Sequence, residues 1–283
     1  MSEKKLIEFF DKISERYAKN HSGEIEDLIR ERTYDEVTKI IKSFKEKNKE
    51  IKILEAGCGN GWLTSKLLRF ENVKITAVDF SKGMLKELKN RLKKDYGKEY
   101  NKIKNRLKII NSNLLNLEIK EKYDLIILIN VLVNVRNKKE VDLIIQRLSS
   151  LLEKNKLLIL SIENKNSFFA LSTAIAFSTL KVKKFPVKFY ELKFIKEILV
   201  KSGLKIKSVL GIKLKKNPLP LNLKPNNIIN KTKILLKDKK QLKETIMYIL
   251  RKIMLHLDII LKINSAYLIV AEKNDVFIIR KYS

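Results

Sequence analysis

The chain has 283 residues, a formal net charge of +29 and 45% apolar residues, enough to bury a full α/β core and still carry added segments. Its single cysteine, Cys58, excludes an internal disulfide, and no charged-then-apolar leader opens the sequence, so a reducing cytoplasm is expected. The charge raises nucleic acid or an anionic surface as partners, but only ten of the 61 cations are arginine, the residue that phosphate and base recognition favours. Abundant lysine, asparagine and isoleucine with scarce glycine and proline is what an AT-rich genome produces without selection for a basic surface, so the charge by itself assigns no partner.

Residues 3–47 read as helical, with Leu6, Phe9, Phe10, Ile13 and Tyr17 at helical spacing and a break at Asn20-His21-Ser22-Gly23. Strands and helices then alternate as in a doubly wound fold. The pattern predicts strands at 51–56, 73–78, 107–111, 123–129 and 156–162, with helices at 61–70, 82–95 and 138–152. The run Leu125-Ile126-Ile127-Leu128-Ile129 suits a central parallel strand buried on both faces. A charge-free stretch, Phe168 to Leu180, is too short to span a bilayer and is followed by Lys181, Lys183, Lys184 and Lys188. Then come a helix from Glu191 to Ser202 closed by Gly203, a strand from Leu204 to Leu210 and, much later, a strand at Ala266–Ala271.

The most informative stretch is Ile53-Leu54-Glu55-Ala56-Gly57-Cys58-Gly59-Asn60-Gly61, where a strand runs into three glycines and a helix begins at Trp62. Glycines at that junction let the backbone turn sharply and approach a ligand that a Cβ would push away. The second strand ends in Asp79, where an acid can accept hydrogen bonds from ribose hydroxyls. The dinucleotide fingerprint is G-x-G-x-x-G; here the spacing is G-x-G-x-G and Trp62 stands in place of the third glycine.

With Glu55 before the glycines and Asp79 after the second strand, the pattern resembles motif I of the class I S-adenosylmethionine-dependent methyltransferases of the small-molecule type. The resemblance covers roughly residues 51–211 and the strand at 266–271. It implies an α/β fold with a doubly wound, seven-stranded mixed sheet whose last strand is antiparallel. The division it implies is an N-terminal helical cap at 1–50 and a core at 51–211 with an apolar helix at 165–181. A basic helical insertion at 212–263 and a last strand with tail at 264–283 complete it. By the same resemblance Glu55, Gly57, Gly59 and Gly61 shape the loop around the methionine part of S-adenosylmethionine. Asp79 binds its ribose, Phe80 and Met84 lie near its adenine, and Asn113, followed by Leu114, stands where many members have an acid facing the adenine amino group. Tyr123–Asn130 looks like motif IV and brings Asn130 to the methionine end. Tyr17 and His21 are the catalytic candidates, His21 as a base and Tyr17 as the tyrosine many members hold near the reacting methyl; no metal is implied.

The acceptor is to be sought in the additions. Residues 168–180 and an amphipathic helix near 245–263 suit a lid over a small or lipid-like acceptor such as a quinone or isoprenoid. They equally suit peripheral contact with an anionic membrane, packing on the core or a homodimer contact. Residues 205–262 hold fifteen lysines and arginines against Asp238, Glu244 and Asp258, which keeps RNA methylation as an alternative, though few aromatics are there for base stacking. Asn130-Val131-Leu132-Val133 replaces the Asn/Asp-Pro-Pro-aromatic motif of many nucleic-acid amino-methyltransferases. A non-catalytic membrane or partner-binding module is the third reading, disfavoured by the intact loop and Asp79.

Overall fold

A computed structural model of the protein describes residues 3–19, 24–43, 50–164, 188–212 and 266–273. The sheet has seven strands: β1 (Ile51–Ala56), β2 (Val73–Asp79), β3 (Leu107–Asn111), β4 (Tyr123–Leu128), β5 (Leu152–Glu163), β6 (Leu204–Ile212) and β7 (Ala266–Lys273). Their order is β3-β2-β1-β4-β5-β7-β6, with β7 antiparallel to both neighbours, so the expected mixed sheet is present. The helices are α1 (Glu3–Lys19), α2 (Glu24–Ser43), α3 (Trp62–Leu67), α4 (Lys82–Tyr96), α5 (Tyr100–Lys104), α6 (Lys138–Leu151) and α7 (Leu192–Lys201).

Continuous apolar runs become central strands because both faces are covered. Leu54, Ile126, Leu128, Leu158 and Leu160 pack on one face with Val141, Ile144, Ile145 and Leu148 of α6. Ile53, Ile75, Leu125, Ile127 and Ile159 pack on the other with Leu67 of α3, Leu88 of α4 and Val37 of α2. Alternation along each strand assigns neighbours to opposite layers, so one apolar run feeds two cores. Helix starts are chemically marked: the Ser81 hydroxyl accepts the Met84 N–H at 3.0 Å, and Asn137 Oδ1 accepts the Glu140 N–H at 3.0 Å.

Several boundaries differ from the sequence expectation. The helix expected at 61–70 closes at Leu67, whereas the N-terminal segment forms α1 and α2 on either side of residues 20–23, where a break is expected. β5 begins at Leu152 rather than Lys156, because Leu152 pairs with Tyr123 before a register irregularity, with Asn155 in the left-handed region (φ 58°). Between β3 and β4 there is a single 3-10 turn, Leu114–Asn116. Residues 165–187 and 213–265, which hold the expected apolar helix, Lys181, Lys183 and Lys184 of the lysine run and nearly all of the basic insertion, lie outside the described residues.

Candidate functional site

The cavity lies where β1, β2 and β4 end. In this strand order β1 sits between β2 on one side and β4 on the other, and chain direction across the sheet reverses there. The carboxyl edge of such a reversal leaves a crevice between diverging connections. The cavity holds about 170 Å³, whereas one water needs on the order of 10–15 Å³, so it is sized for an organic ligand.

Its floor is the glycine loop. Gly57, Gly59 and Gly61 all have positive φ (80°, 52° and 73°), yet the three do different work. A Cβ on Gly57 would lie 2.3 Å from Val131 Cγ2, and one on Gly61 would lie 2.5 Å from Leu88 Cγ, so these two glycines allow close packing. A Cβ on Gly59 would meet nothing within 4 Å: this glycine leaves room for a ligand. The loop's amides are already engaged. The Gly57 and Cys58 N–H groups donate to the Val78 carbonyl at 2.7 and 2.9 Å, and the Gly59 N–H donates to Asp79 Oδ2 at 2.9 Å. An acid also sits against the first turn of α3, where Glu55 Oε2 accepts the Thr64 hydroxyl at 2.6 Å. A pyrophosphate-binding loop must present free N–H groups and an open helix N-terminus. This loop turns its Gly57, Cys58 and Gly59 amides inward and sets the Glu55 carboxyl against the helix start, so its geometry argues against a dinucleotide.

Asp79 is the joint of the floor. Its Oδ1 accepts the Ser81 N–H at 2.9 Å while Oδ2 holds Gly59, and the side chain is 7% exposed on the cavity wall. Burial raises its carboxyl above the ordinary value against the pull of these N–H groups. Each oxygen keeps a lone pair for a hydroxyl. Burial pushes the neighbouring Glu55 carboxyl up to about 8, with the Thr64 hydrogen bond opposing and the Asp79 charge adding. The Cys58 thiol, buried beside both acids, is also raised, chiefly by burial.

A third wall comes from β4. Asn130 holds a left-handed backbone (φ 57°), uncommon without glycine. Ser161 on β5 supports it: the Asn130 N–H donates to Ser161 Oγ at 2.9 Å, and the Ser161 hydroxyl donates to Asn130 Oδ1 at 3.3 Å. The cover comes from α1 and α2, which bring Phe10, Thr33 and Tyr34 to the cavity. The Phe10 ring meets Phe80 edge-on at 5.4 Å, and Tyr34 meets Trp62 edge-on at 6.2 Å. Asp11 Oδ1 accepts both the Ser81 hydroxyl (2.6 Å) and the Gly83 N–H (2.8 Å), tying α1 to the start of α4.

Of the residues singled out from sequence, Glu55, Gly57, Gly59, Asp79, Phe80, Met84, Leu114 and Asn130 line the cavity together. Gly61 packs behind the loop. Asn113 also stands off the wall: its Oδ1 accepts the Leu115 N–H at 2.9 Å and its Nδ2 donates to Glu3 Oε1 of α1 at 2.6 Å, an amide engaged by the cover. Tyr17 belongs to α1, but its side chain lies outside the described residues, as does His21. The sequence reading missed Phe10, Thr33, Tyr34 and Asn134 as wall residues. Only Phe10 carried a signal, as part of the helical stripe.

Seven strands in this order, the last antiparallel, with an acid-tethered glycine loop after the first, define the class I methyltransferase fold. Residues 53–155 match the methyltransferase domain family model. The chain is similar to a malonyl-[acyl-carrier protein] O-methyltransferase of Priestia megaterium, 41% identical over 81 residues, covering 28% of this chain and 26% of the relative. It is also similar to a ubiquinone biosynthesis O-methyltransferase of Pelagibacter ubique, 31% identical over 172 residues, covering 57% of this chain and 65% of the relative. The chain thus spans less than two thirds of either relative. Among solved structures, the magnesium protoporphyrin IX methyltransferase of Synechocystis PCC 6803 with bound SAH superposes with a TM-score of 0.63 at 16% identity, over 96% of this chain and 100% of that one. A putative sarcosine dimethylglycine methyltransferase from Galdieria sulphuraria gives 0.56 at 12% identity, over 86% of each chain. At these identities the likeness is one of fold.

Proposed function

We propose that the protein is a methyltransferase that takes its methyl group from S-adenosylmethionine and delivers it to a small-molecule or lipid-like acceptor. The observation that carries this reading is the Asp79 joint: one buried carboxylate at the end of β2 fixes the open Gly59 turn and still offers lone pairs to a ribose. The residues fit the donor. Asp79 would hold the ribose hydroxyls and Phe80 and Met84 the adenine, while Gly57, Gly59, Glu55 and Asn130 would surround the methionine end. When bound, the sulfonium supplies a methyl group already activated for transfer. The protein's part is then orientation and exclusion of water, which α1 and α2 serve from above.

The side of the cavity formed by Ile127, Ile129, Val131 and Trp62 is apolar and suits an organic acceptor. Two relatives named as O-methyltransferases support an oxygen acceptor. For an acceptor that must lose a proton, Tyr17 and His21 are our proposed participants. Calorimetric titration of the folded chain with S-adenosylmethionine tests the reading; we expect saturable one-to-one binding in the micromolar range, and no heat at millimolar ligand would overturn it.

A further inference from the structure

The cavity wall inverts the charge of the molecule. In a chain of net charge +29, the wall carries two buried carboxyls, Glu55 and Asp79, and among the described residues no lysine, arginine or histidine lines it. Two cations close to the loop are already engaged behind the wall: Lys66 bonds both Glu31 oxygens at 2.8 Å and lies 4.6 Å from the Tyr34 and Trp62 ring centroids, and Arg91 Nε donates to the Asn60 carbonyl of the loop at 3.1 Å. The hydrogen-bond donors to the two carboxyls among the described residues are neutral, from Thr64, Gly59, Ser81 and Phe80. Two carboxylates out of water with neutral donors repel each other, and the cheapest relief is a proton on one of them.

Resting on the methyl-donor reading, we propose that this cavity selects a ligand that carries a cation, and that Glu55 is the group that changes charge. Neutral in the free protein, Glu55 loses its proton to solvent when the ligand enters and becomes the counter-charge of a sulfonium or ammonium. Asp79, with two backbone N–H groups on its oxygens, is the acid that stays ionised. The groups facing Glu55 are Asp79 from β2, the Cys58 thiol of the loop and the Thr64 hydroxyl of α3; Asp11 of α1 acts on Asp79 from above, and α2 contributes Tyr34 to the wall. The acids raise Glu55 and the Thr64 bond lowers it, while burial dominates and pushes its carboxyl up to about 8. Near pH 7 most of Glu55 is therefore protonated, and binding a cation must release that proton.

Calorimetry of the full chain with S-adenosylmethionine at pH 6–8.5, in buffers of different ionisation heat, tests this. Affinity should rise roughly tenfold from pH 6 to 7 and flatten above about pH 8, with close to one proton released per ligand at pH 7. The Glu55→Gln variant keeps an acceptor for Thr64 and should bind with a flat profile and no proton release. Uncharged methylthioadenosine should bind the unaltered protein without releasing a proton. Affinity independent of pH, or the same proton release in Glu55→Gln, overturns charge selection while leaving the donor reading intact. No binding of S-adenosylmethionine at any pH overturns the donor reading itself.

Discussion

The floor and the cover of the cavity are built by different means. The floor is held by backbone: three consecutive loop amides from Gly57 to Gly59 point at the end of β2, within a sheet whose strands are buried on both faces. The cover is held by side chains reaching across gaps in sequence, such as Asp11 on Ser81 and Gly83, Glu3 on Asn113 and Phe10 on Phe80. A part fixed by ladder bonds opens only when the fold does, whereas one fixed by a few latches opens locally and faster. A donor that must enter, and leave spent, needs a rigid seat and a movable cover.

The sharpest way to break the comparison is within the floor itself. Gly57→Ala puts a Cβ 2.3 Å from Val131 Cγ2 on a backbone at φ 80°, and should cost about 2–5 kcal/mol of fold stability in chemical denaturation. Gly59→Ala meets no atom within 4 Å and should cost about 1–2 kcal/mol, from its positive φ alone. Its larger effect should be on cofactor affinity, because the added methyl takes ligand space. If both variants lost stability equally, the division between packing glycines and a ligand-facing glycine would be wrong.

Asp79→Ala comes next. It strands the Gly59 and Ser81 N–H groups and removes the proposed ribose acceptor, and should weaken S-adenosylmethionine binding about a hundredfold, on the order of 2.7 kcal/mol. Unchanged affinity with an intact fold would remove the ribose assignment.

The two parts also differed in how far the sequence disclosed them. The floor is a local device: a glycine triplet between strand and helix, with one acid after the next strand, is fixed by spacing, and Glu55, Gly57, Gly59 and Asp79 meet in one cavity. Asn130 was legible through the resemblance to motif IV, as the residue that follows a continuous apolar strand. The cover follows no spacing rule. Thr33 and Tyr34 read as ordinary helix residues, and they reach the wall only because α2 folds against the first strands. Asn113 shows the opposite failure. Its position suggested a ligand contact, but a nearby amide (Leu115) and a distant carboxylate (Glu3) claim both ends of its side chain. Short-range geometry predicts which groups can meet, and long-range packing decides which of them are already satisfied.

The cover yields the smallest and most discriminating effect. Asp11 makes two short contacts at the start of α4, one to the Ser81 hydroxyl and one to the Gly83 N–H, where a negative charge also faces the positive end of a helix. The backbones are close there, since a Cβ on Gly83 would lie 2.7 Å from Ser14 Oγ and 3.0 Å from Asp11 Cα. Asp11→Ala should therefore leave the sheet untouched and loosen α1 by about 1–2 kcal/mol. Bound cofactor should then leave about 5–30-fold faster in stopped-flow displacement, and hydrogen exchange should quicken in α1 while β1 and β4 stay protected. Asp11→Asn retains an acceptor oxygen but loses the charge, so it should fall between the two. Equal protection changes in α1 and β1 would mean that the cover and floor open as one unit, and the distinction between seat and latch would fall.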